Sequence, residues 1–414
     1  MMSDGPKTGD NTQHMAQDTE TYSDSTIFVY IGNFTETPSS WTTPPTTERG
    51  FGIFRYDKVT GELEPIKSAV MDKISVGAAC LDSKRNILYC VHEALTQPGH
   101  FRGGGGLVYA LAINPKTGDL TEINHQPSYG ALPAYPAIDA TGKYLIVVNH
   151  TGNTPITRTV QDASGDYRVV VEWDEAATVL FRLNDDGSIG APCDIYKHSG
   201  SGPDSEQTHA RVHSVMMSPS GNLFAVCDKG ADMLYFFRIN RKAEKLEVCS
   251  RYKSFPGSLP RYGVFHPTRP YFYMNHEVKT AISAFRYEED GKLEFIQAVD
   301  VLPGGSEVDR TVMQSDIRIH FNGKYLYALI RGTDVLSVFA ITEPTGEIER
   351  IQTFKLEGGR PRVCAVSPDG RFLCVTLTTM HKVVVLAIGE DGKVSSTGTS
   401  IGQPSPGTVT FYPE

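Results

Sequence analysis

A chain of 414 residues, 40% hydrophobic and 21% charged, is ample for a large core, and its 39 glycines and 25 prolines favour many turns over long helices. The formal net charge of −9 argues against nucleic acid or an anionic membrane as the target, since both require a basic face. There is no run of about 18 apolar residues, so no helical membrane span is expected.

Residues 1–25 are polar and acidic without an apolar stretch, and read as a disordered tail rather than a secretory signal. The seven cysteines are odd in number and sit mostly in apolar strand-like runs. Reduced thiols in a cytoplasmic protein are therefore expected. Cys80/Cys90 and Cys364/Cys374 share a spacing of ten residues. Each pair could face across a hairpin; small apolar fillers of equivalent strand positions is the preferred reading.

From residue 27 onward one pattern recurs: an apolar strand, a turn of Asp, Asn or Glu with Gly or Lys, and a short second strand opening on Leu, Ile or Val. The copies span 52–64, 108–121, 179–190, 234–247, 282–294, 336–349 and 383–395. Their openers Leu63, Leu120, Ile189, Leu246, Leu293, Ile348 and Val394 lie 57, 69, 57, 47, 55 and 46 residues apart. Ahead of most copies lies a strand, a Pro-Asp-Gly-like turn and another strand: 81–92, 138–149, 217–228, 264–275, 319–330 and 365–377. Each repeat thus supplies four antiparallel strands, the unit of a propeller blade.

The stretches 27–35 and 408–414 match complementary halves of one such unit. The expected fold is all-β: a single seven-bladed β-propeller over 26–414, made of four-stranded antiparallel blades. The C-terminal strand should close the ring by pairing with the N-terminal strands, which removes open edges. A WD40 propeller is disfavoured, because Trp41 and Trp173 are the only tryptophans. The 69-residue interval marks an insertion at 151–178, and loops at 34–49 and 96–106 occupy the equivalent place in their own blades. Long loops at one blade position gather on one face, where binding usually occurs.

In a ring, strand ends from different blades meet at the channel mouth. Before inner strands stand His209, Arg211 and His213, then Arg261, Asp316 and Arg318, then Arg360 and Arg362; after second strands stand His92-Glu93, Asn149-His150, Asp228, His276-Glu277 and Arg331. A histidine and a glutamate at opposing ends suit acid–base work, and arginines beside them suit an anion or an oxyanion. No Gly-x-Ser-x-Gly nucleophile motif and no His/Cys cluster with zinc spacing is present. His209 and His213 are four apart, a helical ligand spacing in a segment that leads into a strand. A calcium site from Asp228, Asp232 or Glu277 is disfavoured against a turn whose acids bond backbone amides.

Several stretches resemble the seven-bladed propeller lactonases, a family similar to bacterial 6-phosphogluconolactonase that includes the fungal 3-carboxy-cis,cis-muconate lactonizing enzyme. The likeness rests on residues 30–36, His92-Glu93, residues 198–214 and 228–232, Pro260-Arg261, His276-Glu277 and residues 330–334. It implies catalytic roles for His213, Arg261, Glu277 and Arg331. Flanking residues depart from the family's pattern, Arg211 standing where it has a second histidine. Arg211, His150, Glu93 and His276 are the expected substrate-binding residues. The resemblance implies a metal-independent lactonase without cofactor, acting on a small anionic lactone. Glu277 or neutral His213 would activate water or carry the leaving alkoxide's proton, and Arg261 and Arg331 would hold the anion and oxyanion. Two alternatives are a lactonizing cycloisomerase of a carboxymuconate-like dicarboxylate and a non-catalytic binding platform.

Overall fold

The computed structural model describes residues 22–23, 25–35, 47–66, 71–101, 103–152, 155–304 and 310–413. Most of the 1–25 tail and of the 34–49 loop, with Trp41, lies outside the described residues. Tyr22, assigned to the tail from sequence, packs its ring edge-on against Phe28 at 5.8 Å, and its amide donates to the Lys116 carbonyl.

Among the described residues the strands form seven four-stranded antiparallel sheets and one two-stranded hairpin, with a single 3-10 turn at Thr378–Met380. Blade 2 runs outward from the centre as Val76–Asp82, Ile87–His92, Leu107–Ile113 and Leu120–Pro127. Blades 3 to 7 repeat that order, with inner strands Pro133–Ile138, Val212–Met217, Pro260–Phe265, Met313–Ile319 and Pro361–Val366. Blade 1 is composite. Its inner strand is Pro406–Tyr412, hydrogen-bonded to Ile27–Asn33, followed by Phe51–Tyr56 and Leu63–Pro65. The expected closure is therefore the one observed. No helix among the described residues is long and apolar enough to cross a membrane.

The turn chemistry that betrayed the repeat also joins the blades. Tyrosines on second strands donate to the turn glycine of the next blade: Tyr30 to Gly118 at 2.9 Å, Tyr89 to Gly187 at 2.7 Å, Tyr273 to Gly346 at 3.0 Å and Tyr327 to Gly392 at 3.1 Å. Gly346 has φ +78°, and a Cβ there would lie 2.5 Å from the Tyr271 ring. Only glycine meets both demands. Between these contacts the seams are apolar; Phe236, Phe265, Phe272, Phe285 and Tyr287 fill the one between blades 4 and 5. Burying each such ring contributes about 1.5–3 kcal/mol.

All seven cysteines are free thiols. Cys80 pairs with Tyr89 while Cys90 pairs with Ala79, and Cys364 pairs with Val375 while Cys374 pairs with Ala365. A one-residue offset puts the members of each pair on opposite sheet faces. They are fillers, as preferred.

One irregularity recurs in every blade. Each inner strand carries one extra residue at the same register: Gly407 in blade 1, the pair 77–78 in blade 2, Ala134 in blade 3, His213 in blade 4, the pair 261–262 in blade 5, 315–316 in blade 6 and 362–363 in blade 7. A bulge bends its strand and re-aims the side chain it carries. A second constant lies beside it. The amides of Phe34, Glu93, His150, Lys229 and Glu277, each following a second strand, donate to the carbonyls of Ser405, Ser75, Leu132, Arg211 and Leu259, each just before an inner strand. Two rings of side chains are thereby held at the same end of the channel.

Candidate active site

The bulge ring contributes His213, Arg261 and Arg362, with glycine at 77 and 407; the ring after the second strands contributes Glu93, His150, Lys229, Glu277 and Arg331. The glycines make room for their neighbours. A Cβ on Gly77 would lie 1.8 Å from Glu93 Oε2, and one on Gly407 2.9 Å from the Phe34 ring. All the charged members are buried, Arg261 to 2% exposure.

Glu277 is the hub. Lys229 Nζ donates to its Oε2 at 2.7 Å and Arg331 donates to its Oε1 at 2.6 Å, with Arg261 Nε 3.6 Å from Oε1. Burial pushes its carboxyl up, but Lys229, Arg331 and Arg261 outweigh it and hold the group well below the usual carboxylate range. A carboxylate so clamped is a poor base. Glu93 is the opposite case: burial pushes its carboxyl up against the pull of Arg362, whose guanidinium lies 3.3 Å away and over the Phe34 ring at 4.5 Å. Counting Arg211, the site holds five cations against two carboxylates.

His213 lies beside this cluster, its ring 5.3 Å from that of His150 and 5.2 Å from Tyr262. Burial, then Arg261, His150 and Lys229, hold its imidazole well below its ordinary value, so it is neutral at pH 7. Its Nδ1 has no hydrogen-bond partner among the described residues. Arg211 Nε is likewise unpartnered while its backbone amide is fixed by Asp228 Oδ1 at 2.7 Å. Arg261 lies over the Tyr262 ring at 4.8 Å and donates to the Ser315 carbonyl. Tyr262 in turn meets Tyr135 edge-on at 5.6 Å, giving the site an aromatic floor.

The structure thus brings together seven of the eight expected residues: His213, Arg261, Glu277, Arg331, Arg211, His150 and Glu93. His276 is a correction. It is the residue before Glu277 on an alternating strand and faces into its blade, bonding Ser283 Oγ at 2.8 Å with Phe255 alongside. His209 is a rim residue, stacked on Trp173 of the insertion at 4.6 Å and bonded to Thr151 Oγ1 at 2.7 Å. The insertion forms an exposed hairpin, Ile156–Gln161 with Tyr167–Glu172. Asp228 and Asp232 accept from backbone amides, as their turn suggested: Asp228 from Gly230 and Ala231, Asp232 from Gly257 and Leu259. Among the described residues no cluster of His, Cys, Asp and Glu is arranged to hold a metal ion. Arg362, placed at the channel mouth from sequence without an assigned role, joins the site, and so does Lys229, which sequence reasoning does not single out. Lys229 sits between two turn-capping aspartates and reads as a turn residue; its equivalence to Glu93 and Glu277 was the available signal.

The neutral histidines have a consequence for stability. Burial lowers His92 and His209 to about 4 and His198 and His276 to about 3. Above the unfolded value of about 6.5 both states are neutral and the stability is full. Below it the unfolded chain takes up protons that the folded chain refuses, each histidine contributing at most about 1.4 kcal/mol per pH unit. The melting temperature should fall steadily from pH 6.5 to pH 4; a flat profile between pH 7.5 and 5 would contradict the buried neutral imidazoles.

A ring of seven bulged blades, with a cationic mouth around a neutral histidine, defines a seven-bladed β-propeller. The family described as lactonase, 7-bladed beta-propeller, matches residues 28–411. The chain belongs to this family of lactone hydrolases. Among its relatives, a 6-phosphogluconolactonase of Bacillus subtilis (strain 168) is 24% identical over 386 residues, covering 92% of this chain and 97% of its own. One from Formosa agariphila is 27% identical over 363 residues, covering 86% and 91%. The solved periplasmic gluconolactonase PpgL of Pseudomonas aeruginosa has the same fold, with a TM-score of 0.80 at 23% identity over 94% of this chain and 99% of its own.

Proposed function

We propose that the protein hydrolyses the lactone ring of a small anionic, sugar-like substrate without a metal ion. One observation carries the reading: an excess of three positive charges, when both carboxylates are ionised, surrounds a neutral imidazole with a free ring nitrogen. Relatives named 6-phosphogluconolactonase support a phosphorylated sugar lactone as the first candidate. Neutral His213 takes the proton of a water attacking the carbonyl carbon. Arg261 and Arg331 stabilise the developing oxyanion, and Arg211 and Arg362 hold the substrate's anionic group in a two-pronged fashion. Glu277 keeps three cations in place and takes no proton. The seven free thiols support a reducing, cytoplasmic setting.

The test is a panel of 6-phosphoglucono-δ-lactone, glucono-δ-lactone and 3-carboxy-cis,cis-muconate, assayed with and without EDTA. The anionic lactone should be preferred over its neutral counterpart by about 10²-fold in kcat/KM, the worth of a pair of charge-assisted contacts, and EDTA should change nothing. Blank results on both lactones would refute the reading. Loss of the muconate's absorbance would instead assign the cycloisomerase, because the same cations could hold a diacid.

A further inference from the structure

Blade 4 delivers two chemical groups to the same spot. Val212 pairs with Asp228 on antiparallel strands, so His213 and Lys229 flank that pair diagonally, the Lys229 amide donating to the Arg211 carbonyl at 3.0 Å, and both side chains converge on Glu277, close enough for the ammonium to depress the imidazole. Lys229 is buried to 7% exposure. Among the described residues its ammonium makes one hydrogen bond, to Glu277 Oε2 at 2.7 Å, which leaves two N–H bonds directed elsewhere. Lactone opening needs a base for the water and an acid for the ring oxygen that departs as an alkoxide. Before attack His213 is neutral and Glu277 is clamped as a carboxylate; His213 gains a proton only from the attacking water, whereas the Lys229 ammonium beside them carries one from the outset.

We propose that Lys229 is the proton donor to the leaving ring oxygen, a role that rests on the lactonase reading given above. The water oxygen forms a bond to the carbonyl carbon while its proton passes to His213. The C–O bond to the ring oxygen then breaks, its electron pair stays on that oxygen, and an N–H proton of Lys229 neutralises it. Imidazolium His213 returns its proton through solvent to the Lys229 amine, and the new carboxylic acid ionises, so both side chains are restored. Burial, opposed by Glu277 and reinforced by Arg261, makes the ammonium a stronger acid than a free lysine. Glu277 aims it. The arginines nearby are poor substitutes, because guanidinium does not release its proton near neutral pH.

The test uses the lactone turned over best by the wild-type protein, with the variants Lys229→Arg, Lys229→Met and Lys229→Ala checked for unchanged circular dichroism. Arg and Met variants should both lose about 10²–10⁴-fold in kcat, the usual worth of a general acid, with KM changed about threefold or less, as for an interaction made only in the transition state. Methylammonium should restore turnover to Lys229→Ala, and guanidinium should not. Retention of kcat by Lys229→Arg, a rise in KM alone, or equal rescue by guanidinium would show that the charge suffices and overturn the proton-donor role. Should one variant fail to fold, the remaining two still decide. A wild-type protein inactive on every lactone would overturn the functional reading and this role together, an outcome distinct from the others.

Discussion

Replacing His213 by alanine should lower kcat by about 10²–10⁴-fold, the range for loss of a positioned general base. The imidazole sits on a bulge, its Nδ1 is unpartnered among the described residues, and burial first, then its neighbours Arg261 and Lys229, keep it unprotonated. The pH dependence has a definite sign. A base works in its neutral form, and a lowered value extends that form into acid, so the acid limb of kcat/KM should lie well below 6.5, where a free imidazole would put it. Stopped assays between pH 4.5 and 8 check both points. Full turnover by the variant, or an acid limb at 6.5, would remove His213 from the base role.

Glu277→Gln should be the costliest conservative change in the site, at about 3–5 kcal/mol of stability. The amide keeps the shape but leaves Lys229, Arg331 and Arg261 buried without their anion. Activity should fall with it, because the same carboxylate orients the lysine and the arginine. Since the folded carboxyl lies well below its ordinary value, the wild-type advantage is complete above the unfolded value of about 4.3 and fades as pH drops toward the folded one. Urea unfolding at pH 7 and at pH 4 measures both. Equal midpoints for variant and wild type at pH 7 would mean that solvent already screens the cluster.

The architecture is legible in the sequence because turns and strands announce it locally. The Asp-Gly-type turns repeat because their glycines must pass a tyrosine of the preceding blade, and the 69-residue interval is the hairpin with Trp173. The site is less legible. Strand alternation says that His276 and Glu277 face opposite ways, yet not which of them faces the channel. The bulges obscure it further, since one extra residue reverses the parity of every side chain that follows. Glu93 and Arg362 are 269 residues apart and meet only through closure of the ring. Lys229 was hidden by its setting: Asp228 and Asp232 do cap their turns, and the lysine between them is carried past the turn into the channel.

The bulge shared by all seven inner strands separates what the ring is from what it recognises. At each of these places the ladder has already stepped aside, so the side chain presented there owes nothing to strand pairing. Gly407, Ala134, His213 and Arg261 occupy equivalent places in the same backbone. The mouth therefore behaves as a set of sockets at equivalent places, of which Gly77 and Gly407 are closed to larger side chains. A new ligand preference can be written by exchanging the occupants, one blade at a time, while the seams between blades are left untouched.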